Sequence, residues 1–116
     1  MKKIFLFLSF CLLISGCTSS YKTITAQTPD LTKFSDGVYR GNYVLTGTPV
    51  KVTLDVNILN NQISNIKILE HSCSQIGKKA EDIIDSIIEK QSLEVDVVSG
   101  ATASSISILK AVEDAL

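Results

Sequence analysis

Between residues 50 and 58 every second side chain is aliphatic. Val50, Val52, Leu54, Val56 and Ile58 alternate with Lys51, Thr53, Asp55 and Asn57. A period of two places the aliphatic set on one face of a β-strand and the polar set on the other. Such a strand requires paired neighbours and a layer that covers its apolar face. The neighbours are visible on both sides. Asn60-Asn61 is a tight-turn pair, because asparagine tolerates positive φ, and Gln62–Glu70 returns as a further strand with Ile66 and Ile68 on one face. Upstream, Gly37–Leu45 reads as the first strand and Thr46-Gly47-Thr48-Pro49 as the turn that ends it. The expectation is a three-stranded antiparallel meander.

The covering layer follows in the chain. Ile76, Ala80, Ile83, Ile84, Ile87 and Ile88 form one stripe of a helix, while Lys78, Lys79, Glu81, Asp82, Asp85 and Glu89 make a solvated opposite side. Leu93-Glu94-Val95 is a short extended link, and Ser99-Gly100 breaks the chain. Ala103–Leu116 then reads as a second helix with Ile106, Leu109, Val112 and Leu116 inward. The fold class is therefore α+β, a small meander packed against two helices. The folding unit, residues 36–116, is close to the size at which a single core becomes marginal, and a bound cofactor would stabilise it.

The chain has 116 residues, 45% of them hydrophobic, with a formal net charge of −1. That balance lacks the basic footprint of a nucleic-acid binder. One His and three Cys make a self-contained Cys/His zinc site improbable. Aromatic side chains, with no Trp, are too few for a sugar or nucleobase platform.

The first residues read as an address. Met1-Lys2-Lys3 is a basic start, and the apolar run Ile4–Leu13 is shorter than the ~20 residues a membrane span needs. It ends in Ile14-Ser15-Gly16-Cys17, small residues before a cysteine, as in a bacterial lipoprotein signal cleaved after residue 16. Cys17 would then carry the lipid, and the protein would sit on the extracytoplasmic face of the membrane; ordinary secretion with a spare thiol is the alternative. Cys11 would leave with the signal, so Cys73 would be the single thiol of the folded part and no internal disulfide could form. Loss of Lys2 and Lys3 leaves nine basic and twelve acidic side chains, a net −3. Residues 17–35, rich in Ser and Thr with Pro29, read as a flexible spacer, with a first edge strand around Tyr21–Thr25 as the alternative.

The chemistry is concentrated in Asp96-Val97-Val98-Ser99-Gly100-Ala101-Thr102-Ala103-Ser104-Ser105, a glycine turn running into a helix start crowded with hydroxyls. Main-chain N–H groups at a helix N-terminus lack intrahelical partners and lie at the positive end of the dipole, so they favour an anion. Gly100 permits close approach, and Thr102, Ser104 and Ser105 can donate, which makes this a candidate phosphate site. The alternative is an ordinary helix with Ser99 or Thr102 as its N-cap.

Asp-x-x-Ser-Gly-Ala-Thr at Asp96–Thr102 resembles the flavinylation signature of the FMN-binding domain family. That family includes subunits of sodium-pumping NADH:quinone oxidoreductases and of Rnf complexes, and small extracytoplasmic lipoproteins. The resemblance extends, in order, to Asp36-Gly37-Val38-Tyr39-Arg40-Gly41, Gly77-Lys78-Lys79-Ala80, Gln91-Ser92-Leu93-Glu94-Val95-Asp96 and Ile108-Leu109-Lys110-Ala111-Val112-Glu113. It implies FMN joined through its phosphate to the Thr102 hydroxyl, installed by a flavin transferase that uses FAD and magnesium. Asp96 would be read by that enzyme or shape the turn. Ser99, Gly100 and Ala101 would line the loop, and Ser105 would donate to the phosphate. His71-Ser72-Cys73-Ser74-Gln75-Ile76-Gly77 departs from the family's Glu-Thr-Pro-Gly loop and resembles its shorter versions, with His71 as a candidate flavin neighbour or a hydrogen-bonded structural residue. Cys73 reads as a semi-buried small residue, and Tyr39 and Tyr43 as core or rim packing.

The function so implied is a lipid-anchored redox carrier rather than a stand-alone enzyme. It would accept electrons from a membrane donor of the Rnf or quinone-reductase type, or a quinol oxidase, and pass them to an acceptor the sequence does not identify. A module that holds FMN or another phosphate noncovalently, and a structural lipoprotein without cofactor, are the rival readings.

Overall fold

The computed structural model describes residues 25–72 and 77–116. The signal, Cys17, Cys73 and Ile76 lie outside them. Strands β1 (Gly37–Val44), β2 (Lys51–Leu59) and β3 (Gln62–Ser72) form an antiparallel sheet in the order β1-β2-β3. Helices α1 (Ile83–Lys90) and α2 (Thr102–Ala115) follow. Among the described residues no helix is long and apolar enough to cross a membrane.

The alternating strand is the centre of the sheet, and Val52, Leu54, Val56 and Ile58 are all buried. Asn60 and Asn61 turn the chain with φ of 52° and 62°, and the Asn60 N–H donates to Asp36 Oδ1 at 2.8 Å, tying the start of β1 to this turn. Arg40 and Asp55 face each other across β1 and β2 and form a two-pronged ion pair of 2.8 and 3.1 Å. Hydrogen bonds from the Arg40 guanidinium hold the Asp55 carboxyl below its usual range.

β3 departs from simple alternation. Its register against β2 shifts twice, so that Ser64 and Leu69 are extra residues without an opposite partner. Each bulge moves the following side chains to the other face. Ile63 and Ile66 are thereby buried three residues apart, while Leu69 is left exposed.

The first helical stripe also resolves differently from the single helix its periodicity suggests. Gly77–Asp82 is a 3-10 turn, and only Ile83–Lys90 is α-helical. Ala80, Ile83 and Ile87 are nevertheless the buried members of the stripe. The helix stops at Gln91, which adopts φ +51° and returns its amide to the sheet. Gln91 Oε1 accepts from Ile63 N–H, and Nε2 donates to the carbonyls of Ile63 and Ile88. A side-chain amide thus pairs with β3 as a strand would.

Helix α2 is buried over almost its whole circumference from Ser104 to Val112. It lies directly on β1 at Gly41, where an added Cβ would come within 2.0 Å of the Ala111 carbonyl oxygen. The second glycine of the Asp-Gly-x-Tyr-x-Gly stretch therefore allows two backbones to touch. Nearby, the Asn42 N–H donates to Asp114 Oδ2 at 3.0 Å.

Residues 25–35 fall in the stretch read as a spacer, yet they run along the domain. Ala26, Leu31 and Phe34 pack against the core, and Leu31–Lys33 forms a 3-10 turn capped by Asp30. Phe34 meets Tyr39 edge-on at 5.4 Å between ring centroids. Three apolar side chains spaced through a polar stretch give no local period, so their burial becomes visible only with the fold. Tyr39 and Tyr43 are themselves half-buried against the core.

Candidate functional site

Residues 96–105 join the extended link to α2. Val98–Ala101 is a tight turn closed by the Ala101 N–H on the Val98 carbonyl at 3.0 Å, and Gly100 adopts φ +79°. A β-carbon at Gly100 would meet nothing within 4 Å, so the loop is open on that side. Positive φ at the third residue of a turn is the conformation glycine provides without steric cost.

The N-cap position of α2 falls on Ala101, and among the described residues no side chain caps the helix. Neither Ser99 nor Thr102 does so. The first intrahelical bond runs from Ser105 N–H to the Ala101 carbonyl at 2.9 Å. The N–H groups of Thr102, Ala103 and Ser104 thus precede the helical ladder at the positive end of the dipole. An uncapped start beside an open glycine turn fits a phosphate in chemistry and in space.

Ser105 bonds within the loop. Its side chain is fully buried, its hydroxyl donates to the Ala101 carbonyl at 2.7 Å, and it accepts from the Val98 N–H at 3.0 Å. A hydroxyl has one proton, and this one is committed to the loop. Ser105 therefore fixes the turn that precedes Thr102. Ser107 likewise donates back to the Ala103 carbonyl. Ser99 and Gly100 are exposed, Ala101 is buried and Thr102 is half-buried. Asp96 is exposed on the link that leads into the turn.

Thr102 opens onto a cavity of about 720 Å³, within the ~300–1,000 Å³ of small-molecule sites. Leu93, Val95 and Val97 from the link and Ile106 and Leu109 from α2 give it largely apolar walls, Glu94 of the link also lines it, and Thr25, Ala26 and Gln27 close another side. A flat, largely apolar ring system that carries a phosphate would match this division of surfaces. The alternation of Leu93, Val95 and Val97 was a legible sign of such a wall. Nothing local in Thr25–Gln27 signals their part in it.

His71 is not brought to this cavity. Its side chain is 2% exposed, sits opposite Val52 in the sheet, and has Nδ1 3.0 Å from Glu81 Oε1. It joins the end of β3 to the 3-10 turn before α1. Among the described residues no group of three or more His, Cys, Asp or Glu side chains could hold a metal ion.

Two comparisons bear on this site. The family model described as FMN-binding domain matches residues 46–116, a span that takes in β2, β3, both helices, the link and the glycine turn. A search of curated proteins found no match.

Proposed function

The chain belongs to the FMN-binding domain family and takes FMN as its cofactor; from that premise we propose that it carries FMN as a phosphoester on Thr102 and relays electrons at the extracytoplasmic face of the membrane. The observation that carries the proposal is the uncapped start of α2, where the half-buried Thr102 stands between an open glycine turn and a largely apolar cavity.

In this reading the N–H groups of the first turn of α2 bind the phosphate, and Leu93, Val95, Val97, Ile106 and Leu109 receive the ring and limit water around it. Ser105 holds the turn, so that Thr102 is presented in one geometry. FMN supplies one- and two-electron redox chemistry that no side chain of this chain offers. An unactivated threonine is a poor nucleophile at neutral pH, which accounts for a separate transferase. In that transfer the Thr102 hydroxyl loses its proton, and its oxygen replaces AMP on the flavin-side phosphorus of FAD, with magnesium as the transferase's ion. The exposed Asp96 is open to recognition by such an enzyme.

The lipid anchor is part of the same proposal. Cys17 precedes Thr25, the first cavity residue, by eight positions. Fully extended chain covers at most ~3.3–3.6 Å per residue, so this stretch reaches roughly 30 Å. A flavin held there stays near the membrane surface, within range of a membrane-bound donor and of an acceptor outside.

The test is retention through denaturation. The chain co-expressed with a flavin transferase is precipitated in acid, redissolved in denaturant and read by flavin fluorescence. Wild type retains the flavin and Thr102→Ala loses it while remaining folded before denaturation. Loss of flavin from both would contradict the covalent link and leave FMN held noncovalently.

A further inference from the structure

The matched family span begins at residue 46, yet one side of the cavity is made by residues 25–27. This segment is fastened at two adjacent residues, one to the last turn of α2 and one to the start of the link. The Gln27 N–H donates to Glu113 Oε2 in the last turn of α2, and Glu113 is itself held by Lys110 Nζ at 2.6 Å. One residue on, Thr28 Oγ1 accepts from the Leu93 N–H at 2.8 Å and lies 3.2 Å from Ser92 Oγ, at the start of the link. Ala26, just before the two fastenings, packs on the core, and Leu31 and Phe34 anchor the segment downstream.

We propose that Thr25–Thr28 is a strap that serves as a wall of the flavin site, with Thr28 and Glu113 as the positioning residues that hold it across the cavity. The inference rests on FMN occupying the cavity beside Thr102. A strap in this place sets how much water and how large a solute reaches the bound flavin. It also makes the segment nearest the N-terminal side of the domain part of the cofactor's environment. Thr28 acts through a main-chain hydrogen bond to the link that carries Leu93 and Val95, and Glu113 acts through the main chain of Gln27. Neither is required to touch the flavin.

The full-length chain, purified in detergent and loaded with FMN, tests this. Its intact mass after denaturation reports separately whether the flavin is covalent, and with an unmodified mass the same measurements are made on noncovalently held FMN. Iodide quenching of the flavin fluorescence reads access to the ring. The Thr28→Val, Glu113→Ala double variant is expected to raise the quenching constant at least threefold, while Thr28→Ser, which keeps the hydroxyl, stays at the wild-type value. A second measurement needs no variant: FMN loading of wild type slows amide exchange across residues 25–28 severalfold. Unchanged exchange on loading would overturn the proposal. So would wild-type quenching in a folded double variant whose Gln27 and Leu93 amides exchange freely.

Discussion

The two ends of α2 are built in opposite ways. At the C-terminal end Gly41 brings β1 against the helix backbone at Ala111 and Ala115, and the Asn42 N–H is bonded to Asp114. At the N-terminal end no side chain among the described residues caps the helix, the adjacent Gly100 faces open space, and a cavity begins at Thr102. One end has no room for a methyl group; the other has room for a cofactor. The contrast shows how a small domain keeps a cavity open without a large scaffold. The helix is clamped by its far end and its flanks, so its start can be left exposed to a ligand.

The closed end gives the largest effect. Gly41→Val forces side-chain atoms into the Ala111 carbonyl and the Ala115 N–H, and overpacking of this kind costs about 3 kcal/mol or more. We expect a large fall in the urea midpoint followed by circular dichroism. A variant as stable as wild type would mean that α2 is not pressed on β1 at this point.

The next largest is at the open end. Ser105→Ala removes a donor to Ala101 and leaves the Val98 N–H without its acceptor, at a cost of about 1–3 kcal/mol. It should also lower flavin attachment at Thr102, because the turn loses its inner support. Urea denaturation and the fraction flavinylated check the two halves. Normal attachment in the folded variant would confine Ser105 to stability alone.

The smallest expected effect concerns Glu113. Burial raises its carboxyl, but hydrogen bonds from Lys110 and from the Gln27 N–H outweigh that and leave it below its ordinary value. The unfolded chain therefore binds this proton more readily than the folded one. The stabilisation is present above the ordinary glutamate range and is lost as pH falls through and below it. With solvent screening it amounts to less than about 1 kcal/mol. The urea midpoint of Glu113→Gln should lie below that of wild type at neutral pH, and the gap should close in acid. A gap independent of pH would remove the charge from the account.

Much of this arrangement was legible from residues 36 to 116. Period-two alternation marked β2, Asn60-Asn61 marked its turn, and the ordered motifs pointed to the family. The bulges at Ser64 and Leu69 were not, because a bulge leaves composition unchanged and shifts only the register. The 3-10 segment escaped for a related reason, since its buried residues keep a spacing compatible with an α-helix. Hydroxyls near the glycine turn looked alike in sequence. Only the fold separates Thr102 at the cavity from Ser105, whose bonds lie inside the loop. His71 and the strap at residues 25–28 depend on partners distant in sequence or on the path of the chain, and neither carries a local pattern.

The claim that the open end of α2 holds a covalent flavin is tested most directly by the intact and peptide masses of the chain after co-expression with a flavin transferase and denaturation. The account predicts one added FMN less one water, carried on the peptide containing Thr102 and absent from Thr102→Ala. An unmodified mass, or the same addition on another residue, would contradict it.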